Sequence, residues 1–174
     1  MSVFETERLV MRPWREDDAE NLYKYASDPA VGPAAGWPVQ TSVEDSLRVL
    51  REVLIEDKTW AVTIKPSDES VGSIGVFRTD APNGNGAPEI GYWIGKPFWG
   101  CGYIPEAVRA LIDRCFNDGA ESVWCSHFAG NDKSRRVIEK CGFRYVMTKP
   151  WQPTPEDTRD ALYYKITREE WEHD

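Results

Sequence analysis

The sequence has no apolar run that approaches the roughly 20 residues of a membrane-spanning helix. Its first residues lack the basic start and the apolar stretch of a secretory signal peptide. Its 4 cysteines form no CxxC pair, and they have no metal-like spacing with the 2 histidines. We therefore expect a cytoplasmic protein with free thiols, no membrane partner and no metal site.

Basic residues are too few for a protein that binds nucleic acid by neutralising its phosphates. The 174 residues include 29 Asp and Glu against 21 Lys and Arg, a net charge of −8. An acidic surface is compatible with a cationic substrate such as an amine, although solubility alone accounts for it equally well. The length and the charged share of 29% suit a single globular domain over residues 1–174.

Hydrophobic periodicity and turn residues predict the element order βαα-βββ-αβ-αββ. The predicted strands are residues 8–12, 60–64, 70–78, 88–94, 122–127, 143–147 and 161–166. Four helices are predicted: one that begins after Asp17 or Asp18, one that begins after Ser42, and two that span 104–116 and 132–140. Residues 31–38 are predicted to form a rigid loop. Short turns predict an antiparallel meander, and the later strand–helix–strand crossover requires a parallel pair. We therefore expect a mixed sheet with helices on both faces.

The most informative stretch is residues 88–107, where a predicted strand is followed by two glycines and then directly by a helix. Gly100 and Gly102 allow a positive φ and a close approach to the backbone. The N–H groups and the positive end of the helix then favour an anion such as a diphosphate. A tight strand-to-helix turn with no ligand explains the glycines equally well.

Residues 98–103 (FWGCGY), with Glu106 and Ala107 behind them, resemble the acetyl-CoA loop of the GNAT N-acetyltransferases. Within that superfamily they resemble the branch of the ribosomal-protein N-terminal acetyltransferases, the RimJ/RimL type. Residues 6–13, 131–143 and 163–171 resemble the opening strand, the second cofactor helix and the C-terminal strand of the same branch. The resemblance extends over nearly the whole chain in the right order.

This resemblance implies an α/β fold in which a mixed, mostly antiparallel, seven-stranded sheet splays between its fourth and fifth strands. About four helices flank the sheet. The pantetheine arm of acetyl-CoA would pair with the fourth strand, at Trp93 and Ile94. The backbone N–H groups that would hold the pyrophosphate are those of Cys101, Gly102, Tyr103 and Ile104.

The loop departs from the family pattern at its first position. The pattern begins with Gln or Arg three residues before the first glycine, and Pro97 stands there. Cys101 also replaces what is often a basic or polar residue. Backbone N–H groups should therefore be the main phosphate ligands. Cys101 is interpreted as a spectator, because direct attack of an amine on a thioester needs no protein nucleophile.

The reaction implied by the resemblance is acetyl transfer from acetyl-CoA to a primary amine, either a protein N-terminus or a small molecule. Such an amine, with a pKa between about 8 and 10.4, must lose a proton before it attacks. Glu89, at the start of the fourth strand of that sheet, is the first candidate for the general base, and a surface ion pair is its alternative role.

Ser134 is the candidate proton donor to the leaving thiolate, as in the RimJ/RimL-type branch, because Ile138 occupies the position of the tyrosine that many GNAT enzymes use. Asn131 would hold the cofactor arm or cap the second cofactor helix. Trp37 and His127 are candidates for the acceptor site, and packing is the alternative role of both.

The sequence is also compatible with two other classes of function. The absent tyrosine and Pro97 are compatible with an acyl-CoA sensor that has no turnover. A nucleotide binder would use the same kind of loop, and it should be stabilised by ATP or NAD rather than by acetyl-CoA. A homodimer is the expected assembly, because dimers are common in the family that the chain resembles.

Overall fold

The computed structural model describes residues 2–55 and 59–173, and these contain eight strands and six α-helices. In chain order they are β1 (Phe4–Glu5), β2 (Leu9–Pro13), α1 (Ala19–Ala26), α2 (Gly32–Ala35), α3 (Val43–Val49), β3 (Thr59–Ile64), β4 (Ser70–Arg78), β5 (Pro88–Ile94), α4 (Tyr103–Asn117), β6 (Ser122–Phe128), α5 (Asp132–Lys140), β7 (Arg144–Thr154), β8 (Asp157–Thr167) and α6 (Arg168–Glu172).

The strands form one mixed sheet in the order β1-β2-β3-β4-β5-β6-β8-β7. Strands β5 and β6 run parallel, with Glu89 opposite Trp124 and Ile90 opposite Cys125. Strands β6 and β8 pair antiparallel, as do β7 and β8. The predicted mixed sheet and its parallel crossover through α4 are therefore confirmed.

Three differences from the predicted elements have local causes. The loop predicted at 31–38 contains the short helix α2, because Pro33 is tolerated in a first helical turn and Gly36, at φ +89°, ends it. Strand β7 extends through Pro150, beyond the predicted end at residue 147. Because β7 is an edge strand of the sheet, a proline whose missing N–H faces the open edge removes no hydrogen bond between strands. The two-residue β1 was not predicted and makes eight strands rather than seven.

The chain divides into two compact units, the first of residues 1–75 and 92–107. Its core contains a cluster of buried side chains. These are Trp14, Ala19, Leu22, Ala26, Leu50 and Ala61. Ser42 caps α3 as predicted, because its side chain accepts a hydrogen bond from the backbone N–H of Asp45.

A buried ion pair lies beside this core. Both oxygens of Asp18 accept from the Arg12 guanidinium at 2.8 Å, and each side chain is only 4% exposed. Asp18 stands at the N-cap position of α1, but its carboxylate makes no capping bond to the helix. The predicted N-cap position is therefore confirmed at Asp18, but its side chain pairs with Arg12 instead of capping α1.

The second unit comprises residues 76–91 and 108–174. One face of α4 is buried there, with Val108, Leu111 and Ile112 at 0% exposure. A second cluster, formed by Ala81, Trp124, Ala161 and Tyr163, packs around β6 and β8. None of the helices in the described ranges is long and apolar enough to cross a membrane.

Candidate active site

The predicted site residues fall into two groups, one in each unit. The first unit contains Trp37, Trp93 and Ile94 together with the loop of residues 101–104. The second unit contains Glu89, His127, Asn131 and Ser134.

The loop has the backbone that its glycines predicted. Gly100 and Gly102 have φ values of +75° and +79°, a conformation that side chains with a Cβ rarely adopt. Trp99 Nε1 donates to the carbonyl of Ile94 at 2.9 Å, which ties the loop to the end of β5. The turn between β5 and α4 is therefore tied to β5 at its entry and passes through two positive-φ glycines.

Helix α4 begins directly after Gly102, whose carbonyl accepts from the N–H of Glu106 at 3.3 Å. The N–H groups of the first helical turn have no acceptor within an α-helix, and their dipoles add to that of the 15-residue helix. Tyr103 and Ile104 occupy that turn, which begins one residue before the predicted start of the helix. The geometry suits an anion that approaches the start of α4.

Two residues of the N-terminal segment contact the loop or the first turns of α4 behind it, and neither had a predicted role. Thr6 Oγ1 and the backbone N–H of Arg8 donate to Glu106 Oε1 at 2.5 and 2.9 Å. Arg8 Nε donates to Glu106 Oε2 at 2.7 Å, and Nη1 donates to the carbonyl of Cys101 at 3.0 Å. Burial opposes ionisation of Glu106, but the bonds from Thr6 and Arg8 outweigh it and lower the pKa of its carboxyl group.

Trp37 and Trp93 meet in the first unit. Their rings are 5.6 Å apart and cross edge to face, and Trp93 also stacks on Trp14 at 6.4 Å. Both Trp37 and Trp93 pack against the buried core cluster, and both are half-buried. The contacts of Trp37 therefore match the packing role that was its alternative, and a role in acceptor binding stays a prediction.

Glu89 is half-buried at the start of β5 in the second unit. Ser126, on the adjacent strand β6, donates its hydroxyl to Glu89 Oε1 at 2.6 Å. This contact holds one oxygen of the carboxylate against β6. Ser126 had no predicted role, because its partner lies 37 residues away in the chain.

His127 has a partner at each ring nitrogen and is 7% exposed. Nδ1 lies 2.9 Å from the carbonyl of Phe128, so Nδ1 must carry the proton of a neutral ring. Nε2 then accepts from the hydroxyl of Tyr164 at 3.1 Å. These contacts match the structural role of His127, and its role in substrate binding stays a prediction.

Asn131 and Ser134 lie at the start of α5. The Asn131 side chain accepts from the backbone N–H of Ser134 at 3.2 Å, which is the predicted N-cap. Ile138 of the same helix is fully buried. Both polar side chains are half-buried, and a role for them toward a cofactor stays a prediction.

The four thiols differ sharply in exposure. Cys101 is exposed in the loop, while Cys115, Cys125 and Cys141 are buried. Burial raises the pKa of Cys115 and Cys141 to about 11, and it also raises the pKa of Cys125. No group of three His, Cys, Asp or Glu side chains among the described residues could hold a metal ion.

We expect an aromatic disulfide reagent at about pH 8 to modify one thiol of the native protein rapidly and all four after denaturation. The reason is that Cys101 is exposed to the reagent, whereas the other three thiols are buried. Mass spectrometry of the peptide that carries the label checks the assignment, with Cys101→Ser as the control. Rapid labelling of Cys141 in the native protein would contradict the packing of α5.

A comparison with known proteins identifies the family. The profile of the acetyltransferase (GNAT) domain matches residues 8–144. The chain therefore belongs to the GNAT acetyltransferase family. This assignment confirms the GNAT fold that the sequence predicted, with an eight-stranded sheet and six helices in the described residues.

Individual relatives agree with this assignment. The uncharacterized N-acetyltransferase p20 of Bacillus licheniformis is 34% identical over 121 residues, which cover 67% of each chain. The ribosomal-protein-serine acetyltransferase of Escherichia coli strain K12 is 29% identical over 109 residues, or 60% of this chain and 52% of that protein. A solved GNAT-family acetyltransferase from Bacillus anthracis matches with a TM-score of 0.80 at 25% identity, covering 97% and 99% of the two chains.

The protein is thus an enzyme of the GNAT family, whose members transfer an acetyl group from acetyl-CoA to an amine. The similarity to a ribosomal-protein acetyltransferase is consistent with the predicted RimJ/RimL-like branch.

Proposed function

We propose that this enzyme acetylates a primary amine by direct attack of the amine on the thioester of acetyl-CoA. One observation carries the proposal: in a chain of this family, two glycines at φ +75° and +79° stand directly before a 15-residue helix. This backbone presents several N–H groups and a helix dipole to a single anion, as a diphosphate requires.

The cofactor contacts follow from this placement. The N–H groups of the loop, from Cys101 to Ile104, hold the pyrophosphate, and the backbone of Trp93 and Ile94 pairs with the pantetheine arm. Pro97 is exposed and has no polar side chain, which supports the proposal that pyrophosphate binding depends on backbone N–H groups. Labelling of Cys101 should consequently slow when acetyl-CoA is bound.

In the proposed chemistry, Glu89 removes a proton from the ammonium group, directly or through one water. The neutral amine attacks the thioester carbonyl, and a backbone N–H of β5 stabilises the tetrahedral oxyanion. The C–S bond then breaks, the CoA thiolate takes a proton from Ser134, and the acetylated amine is released. The hydrogen bond from Ser126 supports the role of Glu89, because it holds the carboxylate in one orientation.

We propose a protein N-terminal α-amine as the acceptor. The support is the E. coli relative, whose name specifies a ribosomal protein and serine. The lower pKa of an α-amine, about 8 against 10.4 for a lysine side chain, also leaves a larger reactive fraction near neutral pH. The net charge of −8 favours a second candidate, a cationic small molecule such as a polyamine.

A thiol-release assay with acetyl-CoA separates these candidates. The panel contains a peptide with a free N-terminal serine, the same peptide with a blocked N-terminus, and spermidine. Turnover of the free peptide alone supports the proposed acceptor, while turnover of spermidine alone replaces it with the second candidate. Tight acetyl-CoA binding without turnover on a broad amine panel would refute catalysis and favour a sensor. Stabilisation by ATP but not by acetyl-CoA would favour a nucleotide binder.

We also propose that residues 1–174 act as one GNAT domain, that the protein is cytoplasmic, and that it forms a homodimer. These proposals rest on the sequence and on the family. Sedimentation of the purified protein tests the assembly, and a monomer at micromolar concentration would refute the dimer.

A further inference from the structure

Arg8 contacts both the start of α4 and the loop that precedes it. Two of its N–H groups, the backbone N–H and Nε, donate to the two oxygens of Glu106, and Nη1 donates to the carbonyl of Cys101. Its guanidinium also lies 4.6 Å above the ring of Tyr103. Glu106 holds the guanidinium at Nε and Tyr103 lies against its face, so the bond to Cys101 is made by a group with two further contacts.

The bond to the carbonyl of Cys101 has a consequence on the opposite side of the peptide group. The C=O of Cys101 and the N–H of Gly102 belong to one planar trans peptide, so they point in opposite directions. A cation held on the carbonyl oxygen therefore directs the N–H of Gly102 away from Arg8. The same cation also polarises that peptide, which makes the N–H a stronger donor.

Gly102 lies beside this guanidinium and has a φ of +79°. A Cβ placed on it would lie 3.4 Å from Arg8 Nη2, so the guanidinium packs directly against the glycine. Without the bond from Arg8, the peptide between Cys101 and Gly102 would lose a restraint at a place where glycine allows wide rotation.

We infer that Arg8 is a positioning residue for acetyl-CoA binding, which fixes the Cys101–Gly102 peptide so that the N–H of Gly102 faces the diphosphate. The inference rests on the proposed placement of the diphosphate at this loop. It explains how a backbone N–H can be oriented as a main phosphate ligand in a loop that has Pro97 where the family pattern has Gln or Arg. Arg8 reaches the loop from the N-terminal segment, although 93 positions separate it from Cys101.

The test compares Arg8→Met, Arg8→Lys and Arg51→Met by calorimetric titration with acetyl-CoA. Arg51 is the control, because it is also an arginine paired with a glutamate, donating from two guanidinium nitrogens to an exposed Glu16 at 2.8 and 2.7 Å, and its bonds do not involve the loop. We expect Arg8→Met to raise the Kd about 10-fold to 100-fold, as for loss of a charged hydrogen bond. Arg8→Lys should recover part of the loss, and Arg51→Met should leave the Kd unchanged.

The stoichiometry of binding and its salt dependence show whether a change in the Kd of Arg8→Met comes from folding, from positioning or from direct phosphate contact. If Arg8 only supports folding, Arg8→Met lowers the fraction of protein that binds and leaves the Kd of the remainder unchanged, which overturns the inference. A Kd ratio of variant to wild type that persists from about 50 to about 500 mM salt supports positioning, since direct charge attraction is screened over that range. A ratio that collapses to one at high salt overturns it in favour of direct phosphate contact.

The wild-type titration separates this inference from the proposed function. Saturable binding of acetyl-CoA with an unchanged Kd in Arg8→Met refutes the positioning role alone. Failure of the wild-type protein to bind acetyl-CoA refutes the proposed cofactor site, and the role of Arg8 with it.

Discussion

Gly102→Val should raise the Kd for acetyl-CoA by more than about 100-fold, because it disturbs several charge-assisted hydrogen bonds at once. At φ +79° a β-branched side chain is strained, and the new Cβ would already lie 3.4 Å from Arg8 Nη2. The loop must then change its backbone, and the N–H groups of residues 101–104 no longer converge on one anion. Calorimetric titration with acetyl-CoA measures the loss.

Gly119→Val is the matched control for this variant. Gly119 has φ +95° and follows the end of α4, and beyond its chain neighbours no atom of the described residues lies within 4 Å of where its Cβ would stand. Both variants should lose about 1–3 kcal/mol of folding stability through backbone strain, but only Gly102→Val should lose cofactor affinity. If Gly102→Val binds acetyl-CoA within about threefold of the wild-type protein, the pyrophosphate does not bind at this loop.

The part of the site that depends on local backbone could be predicted from the sequence. Gly100 and Gly102 adopt the predicted positive φ, and α4 begins at Tyr103, one residue before the predicted start. Both features follow from residues that are neighbours in the chain. Asn131 could be predicted as an N-cap for the same reason, since its partner Ser134 is three residues away.

The contacts that orient the side chains of the site could not be predicted in this way. Arg8 and Glu106 are separated by 98 positions, and the pair forms only because the N-terminal segment lies beside the start of α4. Ser126 meets Glu89 only because β5 and β6 pair in parallel with Glu89 opposite Trp124. If β6 were shifted by one residue against β5, Ser126 would lie on the opposite face of the sheet from Glu89. Hydrophobic periodicity alone does not determine the register between the two strands.

Competition between partners explains why Asp18 occupies the predicted N-cap position of α1 without a side-chain capping bond. A capping rule assigns Asp18 to the backbone of α1, but the rule considers only the nearby N–H groups. The buried Arg12 guanidinium donates to both oxygens of the Asp18 carboxylate at 2.8 Å. If Asp18 capped the helix instead, the guanidinium would lose this buried negative partner. Satisfying a buried charge is worth more than a cap, so Asp18 pairs with Arg12.

Glu89→Gln should lower kcat by about 10²-fold to 10⁴-fold, the range that a general base contributes. The amide keeps the shape of the carboxylate and can still accept from Ser126, but it cannot take a proton from the ammonium group. The Kd for acetyl-CoA should stay unchanged. Single-turnover acetylation of the amine that gives the highest rate in the panel measures the chemical step, and calorimetry measures the binding.

Glu69→Gln is the control for Glu89→Gln, because Glu69 pairs with Lys24 and Tyr25 at 2.7 Å and has no proposed role in the reaction. Ser126→Ala supplies a graded comparison. It leaves the carboxylate of Glu89 in place but removes the bond that orients it, so a decrease of about tenfold in kcat is expected. If Glu89→Gln and Ser134→Ala both retain the wild-type rate, neither side chain moves a proton in the rate-limiting step. If Glu89→Gln loses rate while Ser126→Ala does not, the carboxylate is the base and needs no fixed orientation. The hydrogen bond from Ser126 would then have no role in the chemical step.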